Sequence, residues 1–338
     1  MRIVSLLPSA TEIVFALGLG QDLVGVTHEC DYPEAARGLP VVTRSLLDHS
    51  DSTSEEIDQA VSAQLPAGVG LYALDEALLA ELRPDLILTQ TLCEVCAVSY
   101  GLVQRAVRDV TPGFPGLAPQ ILSLEPNSLD DILLTIIQVG RTLGVEPRAA
   151  ALVDTLRARV ERVRAQAAGP GRPPRVACLE WIDPLFGPGH WLPEMVSLAG
   201  GLPGLGTPFA DSRRVSWSDV IAFAPEVIVV TPCGFDLGRS AAEALRVLPY
   251  RAGWEALPAV RNGRVYAVDG NAYFSRPGPR IVESLELLAE LIHPDRCAGW
   301  APPNSWMTLP GSVESEPAGA DAPGERPLAA AAGLPTEE

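Results

Sequence analysis

The 338-residue chain carries 25 cationic and 42 anionic side chains for a formal charge of −17, with 47% hydrophobic residues and a mean hydropathy of +0.17. Every cation is an arginine; having no lysine excludes Schiff-base lysines, pyridoxal anchors and phosphate-loop lysines, and the acidity speaks against nucleic acid, whose phosphates need a basic surface. Length and apolar content suffice for two well-filled domains, and no run approaches the roughly 18 consecutive apolar residues of a transmembrane helix.

Arg2 to Leu7 reads as a strand, followed by a Pro-Ser turn and a helix opening near Ser9 or Thr11 and stopping at Gly18 to Gly20. Pro8 and Glu12 interrupt what would be the apolar core of a secretory leader, and no small-residue cleavage site follows. As written, the chain is therefore expected in the cytoplasm, with its six cysteines mostly reduced thiols. "DLVGVTHECDYP" continues as a strand running into a polar loop, and a Ser/Asp/Glu-rich stretch spans Asp48 to Glu56. "DEALLAELRPDLILTQ" then gives a helix, a proline break and a strand, after which "TLCEVCAVS" places Cys93 and Cys96 three apart. Strands alternating with helices mean parallel pairing and an α/β domain.

"NSLDDILLTIIQVGRTLGVEPRAAALVDTLRARVERVRAQ" predicts two successive helices: Ser128 can cap, Asp130 and Asp131 suit the positive first turn, and apolar residues recur at helical spacing. Such a connector is stiff and limits hinging. Beyond it the grammar of the first half repeats. "LLAELRPDLILTQTLC" aligns with "VIAFAPEVIVVTPC": helix, Pro84 or Pro225, an acid, an apolar strand, then a cysteine. The predicted fold class is α/β, two doubly wound parallel-sheet lobes joined by a long rigid helical backbone with a ligand cleft between them. The expected boundaries are an N-terminal lobe over 1–126, the connector over 127–167 and a C-terminal lobe over 168–299. A disordered acidic Pro/Ala-rich tail is expected over 300–338.

In parallel α/β sheets ligands bind off the carboxyl ends of strands. That rule selects the segment holding Ser9 and the loops "THECDYP", "QTLCEVC", "EWIDPLFGPGHW", "TPCGFDLG", with Cys233 and Phe235, and "DGNAYFSRPGPR". Two lobes facing each other through these loops enclose thiol, imidazole and aromatic groups, a composition suited to a large, partly apolar, metal-bearing ligand. The motifs "SLLPSATEIVFALG", "DYP", "LRPDLIL", "APEVIVV" and "RPGPRIVESLELLAELI" resemble the cobalamin and iron-chelate substrate-binding proteins of ABC importers, over roughly residues 1–297. The resemblance implies a cobalamin-like corrinoid or related chelate as ligand, no required cofactor, an ABC permease partner and a monomer; with no Gly-x-Ser-x-Gly elbow, His-Glu-x-x-His helix, phosphate loop or dinucleotide fingerprint in the sequence, binding is expected over enzymatic activity. Carried over by position, it implies ligand-facing roles for His28, Glu29, Cys30, Gln90, Cys93, Cys96, Phe186, His190, Trp191, Tyr273, Phe274 and Arg276. The family docks on its permease with an exposed acid from each lobe; Glu76 and Asp219 lie near those places without clearly matching them.

Other readings stand beside these. Cys93 and Cys96 are a redox pair, half of a metal site completed by His28 and Cys30, metal-free pocket lining, or core packing. A histidine nitrogen or a thiolate is a reasonable axial ligand to cobalt. The alternative function is an intracellular His/Cys zinc protein or thiol enzyme using the same cleft.

Overall fold

The computed structural model describes residues 1–47, 51–64, 71–90, 100–110 and 118–311. The N-terminal part runs β1 (Ile3–Ser5), α1 (Pro8–Ala16), β2 (Leu23–Val26), β3 (Thr43–Ser45), α2 (Ser54–Gln64), β4 (Tyr72–Leu74), α3 (Glu76–Leu82), β5 (Leu86–Thr89), α4 (Tyr100–Val110) and β6 (Gln120–Ser123). The connector is α5 (Leu129–Thr142) and α6 (Glu146–Ala167). The C-terminal part runs β7 (Arg175–Leu179), β8 (Phe186–Gly187), α7 (Leu192–Leu198), β9 (Leu202–Pro203), β10 (Arg213–Arg214), α8 (Trp217–Phe223), β11 (Val227–Val230) and α9 (Leu237–Val247). It ends with α10 (Pro258–Arg261), β12 (Val265–Val268), α11 (Ile281–Ile292), α12 (Pro294–Cys297) and β13 (Trp306–Thr308).

Each lobe has one main sheet. The first has order β2-β1-β5-β6 with all neighbours parallel; the second has order β13-β12-β11-β7-β9, parallel except for β13. The inner strands β5, β11 and β12 are buried along their whole length because both faces are covered. In β5, Leu86 and Leu88 face the core shared with the connector while Ile87 faces the opposite layer. In β11, Val227 and Val229 enter that same shared core while Ile228 and Val230 face away from it. Cys178 lies buried in β7 and belongs to the shared core.

The internal repeat is a repeat of structure. Helices α3 and α8 each end in a left-handed residue, Arg83 (φ 44°) and Ala224 (φ 47°), directly before a proline. A residue preceding proline is disfavoured in the right-handed helical region, so the helix must stop there. The acid that follows does the same work in both lobes. Asp85 accepts from the Arg2 backbone N–H while Arg2 Nε donates to the Leu82 carbonyl; Glu226 accepts from the Arg175 N–H while Arg175 Nε donates to the Ala224 carbonyl. An arginine at the start of one strand and an acid at the start of its neighbour thus set the register of each sheet's central pair.

The connector forms as its sequence dictates. Ser128 and Asp131 make a reciprocal capping box at the start of α5. Gly140 then lets α6 approach: a Cβ there would lie 2.4 Å from that of Ala149. Helix α6, 22 residues and roughly 33 Å long, is tied to α11 by Arg159 and Arg162, both on Glu286. A single hydrophobic cluster takes Ile3 and Ile13 from the first lobe, Ile132 and Ile136 from α5, Val153 and Val163 from α6, and Val176 and Leu288 from the second lobe. The connector is therefore part of the core of both lobes, which is why it is stiff.

Two expectations are corrected. Helix α1 opens at Pro8, whose fixed φ suits a first helical position, so Ser9 and Thr11 sit inside the helix and not in a loop. The chain also remains folded beyond Trp300: Trp306–Thr308 pair antiparallel with β12, Leu309 is buried, and the Gly311 carbonyl accepts from Trp254 Nε1. Trp306 and Leu309 supply the apolar anchors that hold this segment on the sheet edge; residues 312–338 lie outside the described residues. No helix among the described residues is long and apolar enough to cross a membrane.

Candidate functional site

The carboxyl ends of both main sheets point toward the junction of the lobes, and polar contacts cross it there. The first group of crossings joins the two best-matched motifs of the sequence. Gly278 in "RPGPR" lies on the first turn of α1, where a Cβ would come 3.2 Å from the Ser9 carbonyl oxygen, a tight approach that a glycine makes without crowding. One turn further along α1, Glu12 is only 3% exposed, and both its oxygens receive Arg280, at 3.0 Å from Nε and 2.6 Å from Nη2. Arg276, buried beside it, approaches Glu12 at 3.6 Å and binds Asp31 through both terminal nitrogens. It also donates to Asn271 Oδ1 at 3.0 Å and to the Glu29 carbonyl at 3.3 Å. Tyr32 lies flat under the Arg280 guanidinium, 3.9 Å from the ring centre, with Tyr273 at 5.6 Å.

This environment shifts the acids in opposite senses. Burial alone pushes Asp31 up, but the hydrogen bond and charge of Arg276 outweigh it and hold the carboxyl below its usual range. Glu29 goes up, because burial exceeds the help its side chain draws from Arg276. Asp269 also goes up by burial, even though its Oδ1 accepts the Ala272 N–H.

The second group belongs to the C-terminal lobe. The Gly-Pro loop after β8 holds His190 in the left-handed region (φ 48°), its ring stacked 5.6 Å from that of Trp191. Its N–H and carbonyl pair with Ala210 and Phe209, fixing the backbone from which the imidazole projects. The side chain is 19% exposed; burial pushes its pKa down, partly opposed by Asp211 at 3.9 Å, so the ring is neutral near pH 7. Trp191, 7% exposed, is turned inward, and its Nε1–H donates to the Phe274 carbonyl at 2.8 Å. Phe274 is itself buried in the left-handed region (φ 66°), its N–H bound to Ser284 Oγ.

The third group follows β7 and β11. Trp181 meets Phe235 edge-on at 5.2 Å, and the Arg239 guanidinium lies 3.8 Å from the Phe235 ring centre. Phe235 is buried under these neighbours while Cys233 is exposed. Phe186 in β8 is half-buried and pairs in register with Arg214 of β10.

Of the residues expected at the site, Ser9, Glu29, Tyr273 and Arg276 meet in the first group, His190, Trp191 and Phe274 in the second, and Phe186, Cys233 and Phe235 on the C-terminal wall. Gln90 is buried directly after β5. His28 and Cys30 face different ways because the chain turns after β2, with the Cys30 N–H bound to the Thr27 carbonyl. His28 is exposed, with Nδ1 2.7 Å from Thr43 Oγ1 and its ring against Tyr72. Cys30 is 6% exposed, packs with Val26 and Ala36, and lies 3.1 Å from Thr11 Oγ1. They therefore do not form one metal-binding pair, and among the described residues no group of three His, Cys, Asp or Glu is placed to hold a metal. Cys93 and Cys96 lie outside the described residues.

Burial pushes the Cys30 thiol up to about 11 against the pull of the Thr11 hydrogen bond. The thiolate fraction at pH 7.5 is then vanishingly small. Cys30 is expected to resist iodoacetamide in the folded protein and to react only in denaturant; rapid alkylation of the native chain, read by peptide mass, would contradict its burial.

Sequence reasoning missed Glu12, Asp31, Asn271 and Arg280. A signal was present: Glu12 stands alone in the apolar run "IVSLLPSATEIVFALG", and a buried carboxylate requires a cationic partner.

The chain matches the profile of the periplasmic binding protein family over residues 3–272. It is 24% identical over 305 residues to the uncharacterized ABC transporter substrate-binding lipoprotein YvrC of Bacillus subtilis, covering 87% of this chain and 80% of that one. It is 28% identical over 292 residues to a vitamin B12-binding protein of Vibrio cholerae, covering 84% and 86%. The crystal structure of a periplasmic heme-binding protein from Pseudomonas aeruginosa superposes with a TM-score of 0.64 at 21% identity, covering 87% and 93%. The cytoplasmic location expected from the N-terminus is overturned by these relatives, which are periplasmic proteins and a lipoprotein. Ile3–Ser5 form the first strand of the folded body, so the core dictates this segment and it holds no information on export. The relatives are binding proteins and not enzymes, and the chain belongs with them to the periplasmic binding protein family, as a two-lobed substrate-binding protein.

Proposed function

We propose that this protein captures a planar metal chelate of the corrinoid, heme or iron-chelate class between its lobes and hands it to an ABC permease, with a cobalamin-like corrinoid as the first candidate. The observation that carries this reading is His190: a neutral imidazole on a loop held by backbone bonds to Phe209 and Ala210 and stacked on Trp191, with Nδ1 buried and the 19% exposure of the side chain left to the rest of the ring, where Nε2 lies 3.9 Å from Asp211. A neutral imidazole binds cobalt or iron through one ring nitrogen, and with Nδ1 buried that nitrogen is Nε2. Tyr32, Tyr273 and Phe186 add aromatic surface at the junction, suited to the faces of a macrocycle.

The proposal extends to docking. Glu76 in the first turn of α3 and Asp219 in the first turn of α8 occupy equivalent helices of the two lobes, and both are exposed. Asp219 is held in place by Ser216, whose N–H and hydroxyl it accepts.

Titration with hydroxocobalamin and, separately, with hemin should shift the visible absorption of one of them, and His190→Ala should remove or displace that shift while leaving the fold intact by circular dichroism. Neither chromophore responding, with no heat of binding for either, would end the reading.

A further inference from the structure

We propose that α2 is a strap which closes over the C-terminal wall of the interlobe cleft and must lift for ligand to enter. This rests on the cleft being the binding site. The segment leaves the N-terminal lobe between β3 and β4, which pair with each other at its base, Ser45 opposite Tyr72 and the Leu46 N–H on the Leu71 carbonyl. Among the described residues, its polar contacts outside its own turns go to the other lobe. The Ser54 backbone N–H donates to Glu243 Oε1 at 2.7 Å, and the Ser54 hydroxyl donates to the same oxygen. Trp181 Nε1 donates to the Ser54 carbonyl at 3.0 Å, Arg239 to the Ser52 carbonyl at 2.8 Å, and Arg214 to both Asp58 oxygens.

A glutamate from one lobe therefore caps a helix of the other, where its negative charge also suits the positive helix end. The rings of Trp181 and Phe235, at the carboxyl ends of β7 and β11, lie beneath this contact.

The attachment is polar in character. Ser54 is the one buried residue of α2, so little apolar surface holds the helix down. The strap carries Asp51, Glu55, Glu56 and Asp58, and the wall under it carries Arg214, Arg239 and Arg246. An 11-residue helix is marginal on its own, so undocking would also loosen it. Polar, charge-matched docking of a weakly packed element is what a reversible closure needs; an element of the permanent core would be held by apolar burial.

Glu243 is faced by Arg246 and Arg239 on its own helix and by Ser54 and Glu56 on the strap. Burial pushes its pKa up, but the bonds from Arg246 and Ser54 outweigh that and bring it to about 2. A depressed carboxylate contributes while ionised, so strap docking persists above the ordinary glutamate value of 4.5 and is lost as pH falls toward about 2.

The test is amide hydrogen exchange on the full chain. Exchange in α2 should be faster than in α5 and should accelerate roughly tenfold in Glu243→Gln and in about 1 M NaCl, where charges are screened within about 3 Å, with α5 unchanged. Exchange in α2 as slow as in α5 and indifferent to salt overturns the strap; the salt series on the unaltered protein decides this even if Glu243→Gln misfolds. With hydroxocobalamin or hemin as probe, the association rate should rise in Glu243→Gln, and an unchanged rate overturns the gating role. If neither probe binds, the cleft reading fails, while the exchange result still decides whether α2 undocks.

Discussion

Arg280→Met is expected to lower the stability of the ligand-free protein by about 3 to 5 kcal/mol, because it strands a buried carboxylate. Glu12 is almost wholly inaccessible and takes both strong hydrogen bonds from Arg280; its remaining cation, Arg276, is 3.6 Å away and already committed to Asp31. Burying an ion without its partner costs far more than the pair contributes, so the double variant Glu12→Leu/Arg280→Met should recover most of the loss. Urea unfolding of the two single variants and the double variant measures the coupling. Single variants within about 0.5 kcal/mol of the parent would mean that water reaches Glu12 and that the joint between α1 and "RPGPR" is not closed. The joint fixes one contact between the lobes by a buried ion pair, whereas α2 meets Glu243 through polar contacts with little apolar burial, so movement is expected at α2 and not at the joint.

The architecture was readable in the sequence wherever a local rule decided it. Pro84 and Pro225 forced helix ends, Ser128 with Asp131 made a cap, and unbroken apolar runs such as "LILT" and "VIVV" signalled strands covered on both faces. The interlobe contacts were less readable because they depend on three-dimensional proximity. Glu12 and Arg280 are 268 positions apart, and Ser54 and Glu243 are 189 apart. Both motifs of the first pair were visible, but nothing local says that they touch. The Ser/Asp/Glu-rich stretch is assigned no element by the sequence, because the partners that dock the helix opening at Ser54 lie on the other lobe. The expected pairing of His28 with Cys30 failed for a local reason: residues two apart share a face in a regular strand, but this segment turns after β2, with the Cys30 N–H bound to the Thr27 carbonyl, and the thiol swings inward.

Trp191→Ala is expected to cost about 3 to 5 kcal/mol, the range for removing a large buried aromatic side chain. Trp191→Phe is the more informative change, since it keeps most of the apolar volume and removes the N–H bound to the Phe274 carbonyl. That carbonyl belongs to a buried residue with left-handed backbone, so leaving it unpaired should cost roughly 1 to 3 kcal/mol. The sequence expectation had Trp191 touching ligand; the structure turns it inward, where it supports the His190 ring and braces the 270–280 segment. The two roles separate by measurement. A bracing role predicts that Trp191→Phe lowers the midpoint of thermal unfolding without ligand while the absorption shift of the bound chromophore survives. A ligand-contact role predicts unchanged stability and weakened binding. Because His190 is held from one side by its backbone bonds to Phe209 and Ala210 and from the other by the Trp191 ring, loosening the tryptophan should also broaden the imidazole's orientation. The spectrum of a metal-bound chromophore would register that as a change in band shape at constant stoichiometry.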